Sequence, residues 1–345
     1  MQDKNIRPRV TQDEMIILMD IRNKHEALSR ECEAQGIPIE NVKHYWFKGE
    51  HMSINVKGQN ISYNEMRDDI VKDMLAHAPL YVEIPRTQAT EDSHLLVIDP
   101  ADIHIGKLAT LSETGDEYNS KIAVERVMKG VYGIVEKASA FKVDKILYII
   151  GNDVLHIDTP KRQTTSGTPQ DTDGMWYDNF LIARKLHVEV LEVLREIADV
   201  HVQYDPSNHD YTNGFFLADT IQSWFHNDKH ITFNCSIAHR KYFRYYKNLI
   251  GTTHGDGAKE NDLPLLMAHE AKDDWAVTNH KYWYTHHIHH KRSKDIMGVT
   301  VEALRSPSGP DSWHSRNGYV HAPKAVEGFL HHKRHGQIAR FSHIF

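Results

Sequence analysis

Five short polar clusters in this 345-residue chain carry residue types that bind metals or move protons. They are Asp102-Ile103-His104, Gly151-Asn152-Asp153, Asn208-His209-Asp210, His254-Gly255-Asp256 and His286-His287-Ile288-His289. Their donors are carboxylates, one amide and several imidazoles, with no thiolate. That nitrogen-and-oxygen set suits hard-to-borderline divalent ions such as Mn, Fe, Zn or Ni. Asp102 and His104 are two residues apart, as are His287 and His289, so on an extended segment each pair faces one way. The donors outnumber the needs of one ion and include one central carboxylate. This suggests two ions bridged by that carboxylate.

The elements that must position these clusters are legible around them. His94 to Asp99 is an apolar run typical of a buried strand, and Lys145 to Ile150 is another. Ser120 to Phe141 reads as a helix and Asp173 to Ala198 as a longer one, followed by a strand over Val200 to Tyr204. A helix over Phe215 to Phe225 and a strand over Ile231 to Ile237 complete an alternation that predicts a layered α/β fold. Beyond His239 the pattern turns strand-rich, at 241–253, 281–287, 296–303 and in the tail at 319–345. In such sheets reactive groups gather at the carboxyl ends of strands. An isolated Asp-x-His is more often a capped turn than a ligand pair, and Asn208-His209-Asp210 alone reads as a turn. Five such segments in order, each after a strand, make coincidence the less economical account.

Residues 1–90 read as a separate small unit. Thr11 to Glu33 is a predicted helix with Thr11 as its N-cap, then Glu40 to Phe47 a second, Met52 to Val56 a strand and Tyr63 to Ala76 a third helix. That order is winged-helix-like, although a docking or oligomerisation unit fits as well. Residues 79–93 read as a linker, leaving 91–345 as the main domain. The net charge is −6, unlike a dedicated duplex-DNA binder. No run approaches the roughly 18 apolar residues of a membrane span. The two cysteines, Cys32 and Cys235, point to a reducing, cytoplasmic setting. Histidine is abundant, 26 in all; His290, His331, His332 and His335 read as solvated charge.

Motifs of the form DxH, GD, NH(D/E), H and HxH occur in this order over 94–305. The chain thereby resembles the calcineurin-like metallophosphoesterase superfamily, and within it SbcD-type nucleases and phage-encoded DNA exonuclease-like relatives, on the segment Ala101-Asp-Ile-His-Ile-Gly-Lys-Leu. The resemblance implies a four-layer α/β/β/α sandwich. It also implies that Asp102, His104 and His289 hold one metal, that Asn208, His254 and His287 hold a second, and that Asp153 bridges them. His209 would contact phosphate and protonate the leaving oxygen. Three positions depart from the pattern: Ser207 and His286 stand where glycines are usual, and His156 stands where an acid usually orients the catalytic histidine. Asp158 or Asp210 is a candidate substitute for that acid.

The expected function is hydrolysis of phosphodiesters with two divalent ions, Mn first and Fe, Zn, Ni or Mg as alternatives, on nucleic acid and specifically DNA. SbcD-type enzymes work with an ATPase partner and often dimerise, so a homodimer is a further expectation, with no membrane partner. Lys161 and Arg162, in the polar loop 159–174, and Arg240 and Arg244, in a basic-aromatic stretch, are candidate substrate contacts. The competing readings are a hydrolase of small phosphoesters, and a DNA- or protein-binding factor with a structural metal site.

Overall fold

The computed structural model describes residues 12–34, 36, 39, 42, 44–48, 53–57, 72, 81–86 and 88–345, and the chain divides into two compact units, 1–77 and 78–345. In the first unit, α1 (Gln12–Ala34) is the expected helix, while β1 (His44–Lys48) and β2 (Ser53–Lys57) form an antiparallel hairpin. Residues 44–47 were expected to be helical. Tyr45, Trp46 and Phe47 instead follow the strand preference of aromatic side chains. Thr11 and the helix expected at 63–76 lie outside the described residues, Lys72 excepted, so the winged-helix order is not established.

The second unit is built on two sheets. In the first, β3 (His94–Asp99), β4 (Val143–Gly151), β5 (Asp199–Asp205) and β6 (Ile231–Asn234) run parallel in that order. Beyond β3, β12 (Ala325–His332) and β13 (Gly336–Ile344) add antiparallel strands. The second sheet has the order β10 (Arg292–Ile296), β11 (Val299–Ala303), β9 (His280–Thr285), β8 (Asn248–Thr253), β7 (Lys241–Tyr245).

The apolar runs are continuous because both faces of the central strands are covered. Leu96 and Ile98 of β3, with Ile146, Tyr148 and Ile150 of β4, pack under three helices that follow the short α2 (Leu111–Thr114): α3 (Ser120–Ala138), α4 (Trp176–Ile197) and α5 (Tyr211–Trp224). The alternate residues Leu95, Val97, Leu147 and Ile149 face Tyr245, Ile250 and Tyr284 of the second sheet. That sheet's outer face, with Leu249, Trp283 and Val301, is covered by Leu263 and Met267 of α6 (Leu263–Glu270), which α7 (Lys272–Val277) follows. The layers are therefore helix, sheet, sheet, helix. Each fully buried Leu, Ile or Val contributes about 1.5–3 kcal/mol to holding them together. The α3 backbone comes so close to β12 that a Cβ on Gly130 would lie 2.5 Å from Val326.

The α6–α7 pair falls between the expected strand segments at 241–253 and 281–287. Two details differ from expectation. His331, read as solvated, is fully buried on β12, with the Tyr284 hydroxyl 2.8 Å from its Nε2. The 79–93 linker is also partly docked: Tyr81 stacks on Phe225 at 5.2 Å, and the Ile84 amide donates to His230 Nε2 at 2.8 Å.

Candidate metal centre

Five strand-end loops, after β3, β4, β5, β8 and β9, bring the five clusters together. The loop after β3 is fastened to the loop after β4 by main-chain bonds: Asp102 N to Asn152 O (2.7 Å), His104 N to Asp153 O (2.9 Å) and Ile105 N to Val154 O (2.7 Å). Asp102, His104, Asn152, Asp153, His287 and His289 all have φ between 51° and 70°. The Asp102/His104 and His287/His289 pairs therefore converge through left-handed turns, not through the pleat of an extended segment as the spacing suggested. Asp, Asn and His are the non-glycine types that enter this region most readily.

Besides the all-imidazole group His104, His156 and His209, two groups that contain a carboxylate result. Ligand atoms of Asp102, His104 and His289 lie within 4.8 Å of one another, and so do those of Asp153, His254 and His287. The His104 and His289 Nε2 atoms are 3.2 Å apart, and His289 Nε2 is 3.5 Å from Asp102 Oδ1. His254 Nε2 lies 2.9 Å from Asn208 Oδ1 and 3.2 Å from Asp153 Oδ2, which is itself 4.0 Å from His104 Nε2. Asp153 thus stands between the groups. Its other oxygen accepts the His209 amide at 2.9 Å.

The electrostatics show what this donor set demands. Burial alone would raise the Asp153 carboxyl, but His254, then His209, hold it well below the usual carboxylate range. Burial alone would lower His254, yet the Asp153 carboxylate pushes it up to about 9. Burial lowers His104 strongly, with neighbouring His209 and Lys107 adding to it, and burial also lowers His287 and His289. The cleft thus combines two buried carboxylates with three imidazoles, His104, His287 and His289, held neutral, the form that ligates, and a fourth, His254, that keeps its proton beside Asp153. Divalent cations fit this set: they would neutralise the carboxylates and take the place of the His254 proton.

The departures from the motif pattern have local explanations. Ser207 is 3% exposed; its hydroxyl accepts the Asp153 amide and donates to Asp210 Oδ1, both at 2.7 Å. His286 is buried between the sheets, with Nε2 2.9 Å from Asp99 Oδ2. His209 Nδ1 donates to the His156 main-chain carbonyl at 2.9 Å, so a peptide oxygen orients it. Neither proposed substitute acid does so. Asp210 accepts the Leu155 amide and the Ser207 hydroxyl, and burial followed by the Asp153 charge raises it to about 7. Asp158 accepts the Thr212 and Asn213 amides at the start of α5. The His156 ring stacks on His209 at 5.3 Å, with its Nδ1 3.3 Å from His104 Nδ1.

A cleft of about 670 Å³ opens over the site, lined by His104, Asp153, Asn208, His209, His287 and His289. The loop 159–174 forms part of its wall through Thr164, Ser166 and Thr168, but Lys161 and Arg162 do not line it. Arg240 is engaged by Glu270 and Arg244 by Asp274, at 2.6 and 3.0 Å. Sequence reasoning missed Arg316, which lines the cleft from α8 (Ser312–Arg316), and buried Lys107, whose Nζ is 3.2 Å from Asp311 Oδ2. Arg316 was missed because the β11–β12 connection is remote in sequence from the motifs; Lys107 lies within the segment Ala101 to Leu108, but its partner Asp311 is on that same distant connection.

No family model and no curated protein matches the chain. Among solved structures, a novel archaeal phosphodiesterase is similar at 8% identity over 73% of this chain and 99% of that one, with TM-score 0.34. Vacuolar protein sorting 29 from Cryptosporidium parvum gives 13%, 73%, 97% and 0.34, respectively. A predicted phosphoesterase from Streptococcus pneumoniae gives 12%, 73%, 98% and 0.27. At these TM-scores the overlaps carry no argument about fold or activity.

Proposed function

We propose that this protein is a two-metal phosphodiesterase of the calcineurin-like kind, acting on nucleic acid. The observation that carries the reading is Asp153, buried between two groups of nitrogen and oxygen donors drawn from separate strand-end loops. Asp102, His104 and His289 would hold one ion, and Asn208, His254 and His287 the other, with Asp153 shared. When bound, the ions supply charge neutralisation at the phosphate and acidification of water. His209 Nδ1–H donates to the His156 carbonyl, so the ring in its imidazolium form would pass the Nε2 proton to a departing oxygen and be left as the neutral Nδ1–H tautomer. Arg316 stands on the cleft wall to meet phosphate charge.

DNA is the proposed polymer, and Mn the first metal to test. A second reading, a small nucleotide ester as substrate, is favoured by Arg240 and Arg244 being tied to carboxylates rather than lining the cleft. The test is hydrolysis of labelled single- and double-stranded DNA, and of small diesters, by Mn-loaded protein. Asp153→Asn should reduce turnover by about a thousandfold or more, on the scale of losing a metal's charge stabilisation. Wild-type inertness towards every substrate, or equal turnover by the variant, refutes the proposal.

A further inference from the structure

Beside the metal cleft lies a second cavity of about 480 Å³, and the two share His287, His289, Trp313 and His314. Its outer wall is the β11–β12 connection. On that wall Trp313 and Tyr319 are 61% and 62% exposed, with ring centroids 5.7 Å apart at 31°. Two large rings left in water forgo the burial that would stabilise the fold, so their placement invites a functional explanation.

The wall is fastened in place. Asp311 Oδ1 accepts the His314 amide at 2.9 Å and so caps α8, while its Oδ2 pairs with buried Lys107. The Ser315 hydroxyl donates to the Glu113 carbonyl at 3.2 Å. The His314 ring stacks on the His289 ring at 5.1 Å and 20°, and Trp313 meets His314 edge-on at 5.2 Å. A continuous run of ring contacts therefore leads from the donor set to the exposed indole. Lys324 lines the same cavity and adds a cation.

We propose that this cavity is a nucleobase subsite, in which the base attached to the reacting phosphate stacks on Trp313 and Tyr319 while Lys324 faces the sugar-phosphate. This rests on the phosphoesterase reading above. Exposed aromatic faces recognise flat rings with little regard to sequence, and the volume is in the range of small-ligand sites.

The test compares a thymidine dinucleotide with its abasic analogue, using Mn-loaded wild type, Trp313→Leu and Trp313→Phe. A parallel arm titrates thymidine 5′-monophosphate and deoxyribose 5-phosphate by equilibrium binding. Stacking predicts that Trp313→Leu lowers the base-bearing to abasic ratio of kcat/KM by at least about fivefold, through KM, and that Trp313→Phe restores most of it. The same substitution should weaken thymidine monophosphate binding and bring it towards that of the sugar phosphate. An unchanged ratio in an active enzyme overturns the subsite. If wild type cleaves neither diester, the phosphoesterase reading fails on its own. The subsite then stands or falls on binding: equal wild-type affinity for the two monophosphates refutes it.

Discussion

Removing a single hydroxyl should loosen the loop that carries the central carboxylate. Ser207 Oγ ties the loop after β5 to the loop after β4: it accepts the Asp153 amide, and it donates to Asp210, whose other oxygen accepts the Leu155 amide. In Ser207→Ala the Asp153 N–H is left buried without that partner, at about 1–3 kcal/mol, and the buried Asp210 carboxyl loses a donor worth about 1 kcal/mol more. The expected destabilisation is about 2–4 kcal/mol. For a domain of this size each kcal/mol shifts Tm by about 2–4 °C, so metal-free protein should melt about 5–15 °C lower. Asp153 sits at φ 60°, a conformation that its bonded neighbours must enforce, so Mn affinity should fall as well. The assay is thermal unfolding followed by circular dichroism, in a double-mutant cycle with Asp210→Asn. Because the two side chains share one bond, the cycle should show coupling of about 0.5–3 kcal/mol. A Tm within about 2 °C of wild type, or strict additivity, refutes the argument.

Two further outcomes follow from other buried positions. Burial holds His187 at about 3, as a neutral ring whose Nδ1 lies 2.8 Å from the Tyr148 hydroxyl. The unfolded chain binds this proton from about pH 6.5 downward and the folded protein does not, so its contribution to stability is complete above that pH and lost as pH falls towards 3. His187→Asn, which keeps a hydrogen-bonding side chain, should flatten the stability profile over that window by up to about 4 kcal/mol; parallel denaturation curves for the two proteins contradict this. Gly151 has φ 99°, and a Cβ there would lie 2.2 Å from the Asp205 carbonyl oxygen, so Gly151→Ala should cost about 3 kcal/mol or more, read by urea denaturation.

The parallel strands and their helices were legible because buried central strands must be apolar throughout and the covering helices amphipathic. The ligand-type residues were legible because only a few side chains bind metals and each cluster trails a strand. What escaped was information carried by contacts distant in sequence. The hairpin at 44–57 lies where the aromatic run also suited a helix. His331 looked solvated because nothing local reveals Tyr284 across the interface between the sheets. The orienting group for His209 is a peptide carbonyl, which carries no side-chain signature. Arg316 and Lys107 came to the site through one ion pair and a cap on α8, neither of which has a motif.

The left-handed backbone around the metal donors has a consequence for how such a site would decay. Six of the nine non-glycine residues with positive φ among those described belong to it. Each forgoes conformational energy that glycine would recover. A lineage released from the need for chemistry would therefore gain stability by exchanging these donors for glycine, ahead of any change in the surrounding core. Glycines at 102, 104, 152, 153, 287 and 289 would be the signature of a fold kept after its reaction was abandoned. In this chain all six positions carry Asp, Asn or His.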